Sequence, residues 1–165
     1  MESRPKVKLH LTTSDKLFEA MGWIALVTLW VYTLTHYAKL PEIIPTHYNG
    51  AGEVDGHGGK GNILALPIVA TVLFVALTIL NQFPYAFNYP TNITPENFLK
   101  QYTSATRFIR YMKFVVVVIF GAIAIETIQN TLTSSEGLGV WFLPITLGVI
   151  FIPLVFFIIT SFKSK

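Results

Sequence analysis

His47, Glu53, Asp55 and His57 place two imidazoles and two carboxylates in one short glycine-rich stretch of the chain. These are ligand types that zinc, copper or nickel accept, and His36 stands close enough in sequence to join them. The spacing matches no defined metal signature: the histidines lack helical separation and no HExxH pair occurs. The same residues serve equally as solvated or turn-forming groups, so the metal assignment stays unknown and no cofactor is expected. Glu126, in Gly121-Ala122-Ile123-Ala124-Ile125-Glu126-Thr127, is the carboxylate singled out within an apolar run, where an ionisable group is a functional hypothesis by default. It reads either as an interfacial carboxylate reaching water, Lys39 or Lys60, or as a partner of His47 or His57.

The elements that position these groups are four apolar runs, Leu17 to Ala38, Asn62 to Leu80, Phe108 to Ile128 and Leu138 to Phe162. Each approaches or exceeds the roughly 20 residues that carry a helix across a hydrocarbon core. Composition agrees, with 52% of the 165 residues hydrophobic and only 13% charged, about half the charged share of soluble domains. The expected fold is an all-α membrane protein, a single four-helix transmembrane domain over residues 1–165. The first run is too long for a signal-peptide core and reads as a retained span. With no cysteine, disulfides, thiolate metal sites and cysteine nucleophiles are excluded.

Basic residues set the orientation. Arg4, Lys6, Lys8, Lys16, Lys100, Arg107, Arg110, Lys113, Lys163 and Lys165 flank one side of the spans, against Lys39 and Lys60 on the other. Both termini are therefore expected in the cytoplasm, with the loops at 39–61 and 129–137 facing outward across a bacterial cytoplasmic membrane. The net charge of +3 then follows from insertion into the lipid bilayer and predicts no nucleic-acid partner.

Thr13-Ser14-Asp15-Lys16-Leu17 reads as a helix start with a hydroxyl or Asp cap and Glu19 near the first turn. Trp23, Trp30, Tyr32 and Tyr37 read as interfacial anchors and packing residues. In the segment 81–106, Pro84 and Pro90 predict an irregular connection, and Thr94-Pro95-Glu96 then predicts a capped helix start. Phe98, Tyr102, Ala105, Phe108, Ile109 and Met112 recur at helical spacing opposite Lys100, Arg107 and Arg110. An amphipathic interfacial helix over 95–110 should therefore bend or run directly into the third span, its basic residues marking topology and touching lipid headgroups. Pro67, Pro144 and Pro153 fall inside spans and predict kinks.

Residues 40–62 combine two prolines and six glycines with His47, Tyr48, Asn49, Glu53, Asp55 and His57. That mixture predicts an ordered cap on the bundle, with Asn49-Gly50 and Asp55-Gly56 as tight turns. Leu40-Pro41, Ile44-Pro45-Thr46-His47-Tyr48-Asn49, Gly52-Glu53-Val54-Asp55-Gly56 and Gly59-Lys60 resemble the signature of a bacterial integral membrane family, domain of unknown function 1648, that includes SdpI-type toxin-immunity and signalling proteins. The stretch from Asn92 to Lys113 resembles that family's second landmark. Tyr48 stands where the family has phenylalanine, Val54 where it commonly has proline, and Gly59 where it has serine. The resemblance implies immunity against a peptide or protein toxin through the outer loop.

No phosphate-binding glycine loop, nucleophile elbow or triad-like set is present, so an enzyme is not expected and no catalytic residue is assigned. The preferred reading is an integral membrane binding or signalling protein with His47, Tyr48, Asn49, Asp55, His57 and Glu126 as the ligand-binding set. Its partners would be an extracytoplasmic peptide or protein toxin and a cytoplasmic regulator, with a homo-oligomer open. The alternatives are a small transporter, a metal-binding membrane protein or a structural envelope component.

Overall fold

A computed structural model describes residues 4–133 and 137–163; Lys165, counted above toward topology, lies outside them. Four helices, α1 (Thr13–Tyr37), α2 (Ala65–Leu80), α3 (Phe98–Thr133) and α4 (Phe142–Phe162), alternate in direction. A hairpin of β1 (Ile43–Tyr48) and β2 (Val54–Gly59) is inserted between α1 and α2. All four helical segments are long and apolar enough to cross a membrane, α2 counted with the 3₁₀ turn at Lys60–Leu64 that leads into it. The N-terminal segment, the α2–α3 connection and the end of α4 meet at one end of the bundle, through Arg4 to Phe87 and Gln101 to Ser161. The hairpin and the α3–α4 connection meet at the other, through Leu138 to Gly52.

Helix α1 begins with a reciprocal cap, in which the Thr12 hydroxyl accepts from the Asp15 N–H and the Asp15 carboxylate accepts from the Thr12 N–H. The hydroxyl cap is thus one residue upstream of the expected stretch. Helix α3 begins the same way: Thr94 accepts from the Glu96 N–H, and the Asn97 side chain accepts from the Thr94 N–H. From there α3 continues for 36 residues without a break, about 54 Å at 1.5 Å per residue. The expected interfacial helix and the third span are therefore one rod.

Pro67 and Pro144 lie within the first turn of α2 and α4, where a missing N–H leaves no helical bond unmade. Only Pro153 interrupts a helix interior, so two of the three expected kinks are instead helix starts.

Lipid tails are as apolar as leucine, so association of these helices rests on close packing and polar contacts rather than on escape from water. Leu26 and Leu29 of α1, Ala70 and Phe74 of α2, and Val117 and Ala124 of α3 form the central core. Gly22 makes room for the Phe74 ring, whose edge would lie 2.7 Å from any Cβ at that position. Trp30 Nε1 donates to Thr71 Oγ1 at 2.9 Å, joining α1 to α2. Ile24, Val27, Val31 and Leu34 of α1, with Ile152 and Phe156 of α4, are exposed and form the lipid-facing surface of a membrane bundle.

Candidate functional site

The loop between α1 and α2 is ordered, as its turn formers require, but it contains strand rather than turns alone. β1 pairs antiparallel with β2, with Ile43 opposite Gly59, Pro45 opposite His57 and Tyr48 opposite Val54, and with irregular register on either side of His47. The strand is local because the β-branched run Ile43-Ile44 sits opposite small residues, and Ile44, 1% exposed, anchors it on Leu40, Ile63 and Ile128. Asp55-Gly56, expected as a tight turn, lies inside β2. Gly56 is opposite His47, whose Cβ would sit 2.9 Å from a side chain at that position, so the glycine allows strand approach instead of chain reversal.

Asn49 forms the tip. Its Oδ1 accepts from the Ala51 N–H at 2.9 Å and the Glu53 N–H at 3.0 Å, while its Nδ2 donates to the Glu53 carboxylate at 2.8 Å. Gly52 completes the reversal with φ +80°, a conformation glycine adopts without steric cost. Its carbonyl then accepts from the Leu138 N–H at 2.7 Å, and the Asn130 side chain donates to the Gly137 carbonyl at 2.9 Å. The tip is tied to the α3–α4 connection in this way. Tyr48 ties the middle, its hydroxyl 2.8 Å from Thr127 Oγ1 of α3. Lys60, paired with Glu42 at 2.9 Å, closes the base.

These bonds sort the residues singled out from the sequence. Asn49 and Tyr48 spend their polar groups holding the hairpin in place. His47 and Asp55 form an exposed pair on its face, Nδ1 to Oδ1 at 2.5 Å. His57 is exposed on the same strand as Asp55. Glu53 serves Asn49, and among the described residues no three histidine, aspartate or glutamate side chains gather where a metal would need them. The four candidate ligands are thus divided between the tip and the strand face. Glu126 reaches none of His47, His57, Lys39 or Lys60; it is partly exposed on α3 and makes no hydrogen bond or ion pair among the described residues. A cavity of about 310 Å³ lies beneath the hairpin, bordered by His47, Tyr48, Asn62, Leu66 and Thr127.

A second polar assembly, at the opposite end, was not anticipated. Asp15 and Glu19, one turn apart on α1, face Arg107, Arg110 and Lys113 on α3. Arg107 bonds Asp15 at 3.1 Å, Arg110 bonds Glu19 at 3.1 Å, and Lys113 bonds both Glu19 and Thr78 of α2. The side chain of Lys113 is 0% exposed and that of Arg110 8%. Arg110, expected to touch headgroups, is turned inward instead, because buried cations need carboxylate partners and Glu19 supplies one to it and to Lys113. The intramembrane carboxylate with partners is therefore Glu19 rather than Glu126. The available signal was spacing: 15 and 19, and 110 and 113, each mark one face of a helix.

No solved structure matches this chain. An uncharacterized protein of the archaeon Archaeoglobus fulgidus is 35% identical over 88 residues, covering 48% of this chain and 48% of that protein. The chain thus spans about half the length of the curated relative it matches. A family model described as a domain of unknown function, DUF1648, matches residues 24–71, from the middle of α1 through the hairpin into α2. With its four helices long and apolar enough to cross a membrane, the chain is a multi-pass membrane protein, and the stretch that matches the DUF1648 model is centred on the hairpin.

Proposed function

We propose that this protein is a membrane recognition protein of the SdpI type that captures an extended peptide, or an extended segment of a protein toxin, along the open edge of β2. The observation that carries this reading is the division of labour within the hairpin. Its base is closed by the Lys60–Glu42 pair, its middle is tied to α3 through Tyr48 and its tip to the α3–α4 connection through Gly52, while His47, Asp55 and His57 are left exposed. Among the described residues β2 pairs with β1 alone, and an unpaired strand edge offers main-chain hydrogen bonds to an incoming strand, with neighbouring side chains supplying selectivity. Preorganisation by the ties lowers the ordering cost of binding.

The excess of basic residues at the other end supports an orientation with that end and both termini in the cytoplasm and the hairpin outside the cytoplasmic membrane. Immunity would follow from sequestration: a peptide held on β2 does not insert into the bilayer. The role needs no catalytic group and no cofactor.

The test uses cells expressing the wild type, Asp55→Ala/His57→Ala or Asn49→Ala, challenged with a panel of membrane-active peptide toxins while membrane abundance is measured. Recognition by the β2 face requires that Asp55→Ala/His57→Ala lose protection at normal abundance. Wild-type cells no better protected than empty-vector cells against every peptide, or a double variant that protects fully, would refute it. Loss of abundance with Asn49→Ala would report the tip's structural role.

A further inference from the structure

An open cavity of about 750 Å³ lies at the basic end, between the N-terminal segment and the end of α2. The extended segment before α1 alternates, with Arg4, Lys6, Lys8 and His10 exposed and Pro5, Val7 and Leu9 half-buried. Arg4 fastens it by donating to the Phe87 carbonyl at 2.6 Å and the Tyr85 carbonyl at 3.3 Å. The Lys6 ammonium lies 5.3 Å from the centre of the Tyr85 ring. Arg110 and Glu19 border the cavity on the bundle side, and Leu11 and Phe83 contribute apolar wall.

Charge decides what this cavity accepts. Both Glu19 carboxylate oxygens are already engaged, one by Arg110 and the other by Lys113. Neither Lys6 nor Lys8 has a carboxylate partner among the described residues. The lining is therefore net positive, with two unneutralised lysines at the mouth. Asn81, 9% exposed, borders the same space; its Nδ2 donates to the Thr106 carbonyl while its Oδ1 has no partner. An anion carrying a hydroxyl matches this combination of donors and an unused acceptor. Since Leu11 and Phe83 are themselves exposed at the end of a bundle of membrane-spanning length, the nearest source of such a group is the adjoining leaflet.

We propose that this cavity is a phosphate-ester site that takes the headgroup of an anionic phospholipid, with Lys6 and Lys8 binding the phosphate and Leu11 and Phe83 receiving the start of its apolar portion. Basic pockets at the ends of membrane helices recognise headgroups in this manner.

The test is thermal unfolding of the purified full chain in detergent with short-chain phosphatidylglycerol, short-chain phosphatidylcholine, glycerol phosphate or inorganic phosphate. A ligand that binds only the folded state raises the midpoint in a saturable way. The expected result is a saturable rise with phosphatidylglycerol and none with phosphatidylcholine. In Lys6→Gln/Lys8→Gln the affinity should fall about twenty-five-fold, each lysine near an anionic headgroup contributing roughly fivefold. Lys100→Gln, outside the cavity, should leave it unchanged. Lys8→Gln alone disturbs no contact seen among the described residues, so it keeps the test valid if the double variant is unstable. Equal saturation by glycerol phosphate or inorganic phosphate, lost in the same variants, would support the phosphate site while assigning its occupant to the soluble pool. Equal responses to the two lipids, or affinity undiminished in the lysine variants, would overturn the proposal.

Discussion

Lys113 of α3 and Glu19 of α1 are joined directly inside the bundle, and the lysine side chain is entirely withdrawn from solvent. Its ammonium also donates to Thr78 Oγ1 at 2.9 Å and lies 4.6 Å from the centre of the Phe74 ring. One cation therefore connects α1, α2 and α3. Arg110 and Arg107 extend the assembly to Asp15, the residue that also caps α1. Helix start and inter-helix docking thus depend on the same carboxylate.

Removing one member of a buried ion pair costs more than replacing both, because the survivor stays desolvated without a partner. Glu19→Gln leaves the buried Lys113 facing a neutral amide and should destabilise by about 2–3 kcal/mol, below the full buried-pair penalty because Glu19 is partly solvated. The double variant Glu19→Leu/Lys113→Met should recover part of that loss. Unfolding midpoints in detergent for Glu19→Gln, for the singles Glu19→Leu and Lys113→Met, and for the double would check it; additive losses from Glu19→Leu and Lys113→Met in the double would show that the two side chains do not act as a pair.

Packing at Gly22 is equally specific. The Phe74 ring carbons would lie 2.7 and 3.0 Å from a Cβ at this position, and Phe74 is fully buried between Trp23 and Lys113. The ring has little freedom to retreat. Gly22→Ala should therefore destabilise by about 1–3 kcal/mol, the usual cost of overpacking, although alanine is the better helix former by about 1 kcal/mol. Gly121→Ala, with nothing within 4 Å of its added carbon, should be neutral or stabilising. A thermal comparison of the two alanine variants separates a packing effect from a propensity effect.

The legible part of this chain was whatever depends on local composition. Four apolar runs announced four helices, and Thr94-Pro95-Glu96 announced the start of α3 because caps are read over three or four residues. The hairpin was legible as order but not as strand, since its glycine-rich β2 has little strand propensity and pairs only because Ile44 is buried on Ile63 and Ile128. Arg110 was read as touching headgroups because positive charge near a span end signals topology equally well whether it points to lipid or inward. Only the facing of α1 against α3 distinguishes the two, and that is a long-range property. The same holds for Tyr48, whose hydroxyl finds its partner only once the hairpin meets Thr127 of α3.

The tie between Tyr48 and Thr127 is open to a double-mutant cycle. Tyr48→Phe restores the ring that the family resemblance leads one to expect and deletes only the hydroxyl that lies 2.8 Å from Thr127 Oγ1. Each of Tyr48→Phe and Thr127→Val should cost about 1 kcal/mol, with the double variant costing little more than either, as expected for one hydrogen bond. Amide exchange in β1 should quicken in both single variants. Exchange that stays slow would show that Ile44 alone anchors the hairpin.

At the start of α3, Glu96 has its carboxyl held below the ordinary 4.5 by the Thr94 hydroxyl and by its own backbone N–H, and a helix N-terminus also favours an anion. A carboxyl lowered in the folded state adds stability above its unfolded value, and that stability is lost as pH falls through the folded value. The start of α3 should therefore loosen under acid, in the region below pH 4.5. In Thr94→Val the Glu96 titration should move up toward the ordinary carboxylate range, and the acid-sensitive part of the stability should shrink. A side-chain NMR titration of Glu96 in the two proteins checks the first effect, and unfolding midpoints at neutral and acid pH check the second. If the midpoint of Glu96 is the same with and without the Thr94 hydroxyl, the cap does not act on this carboxyl.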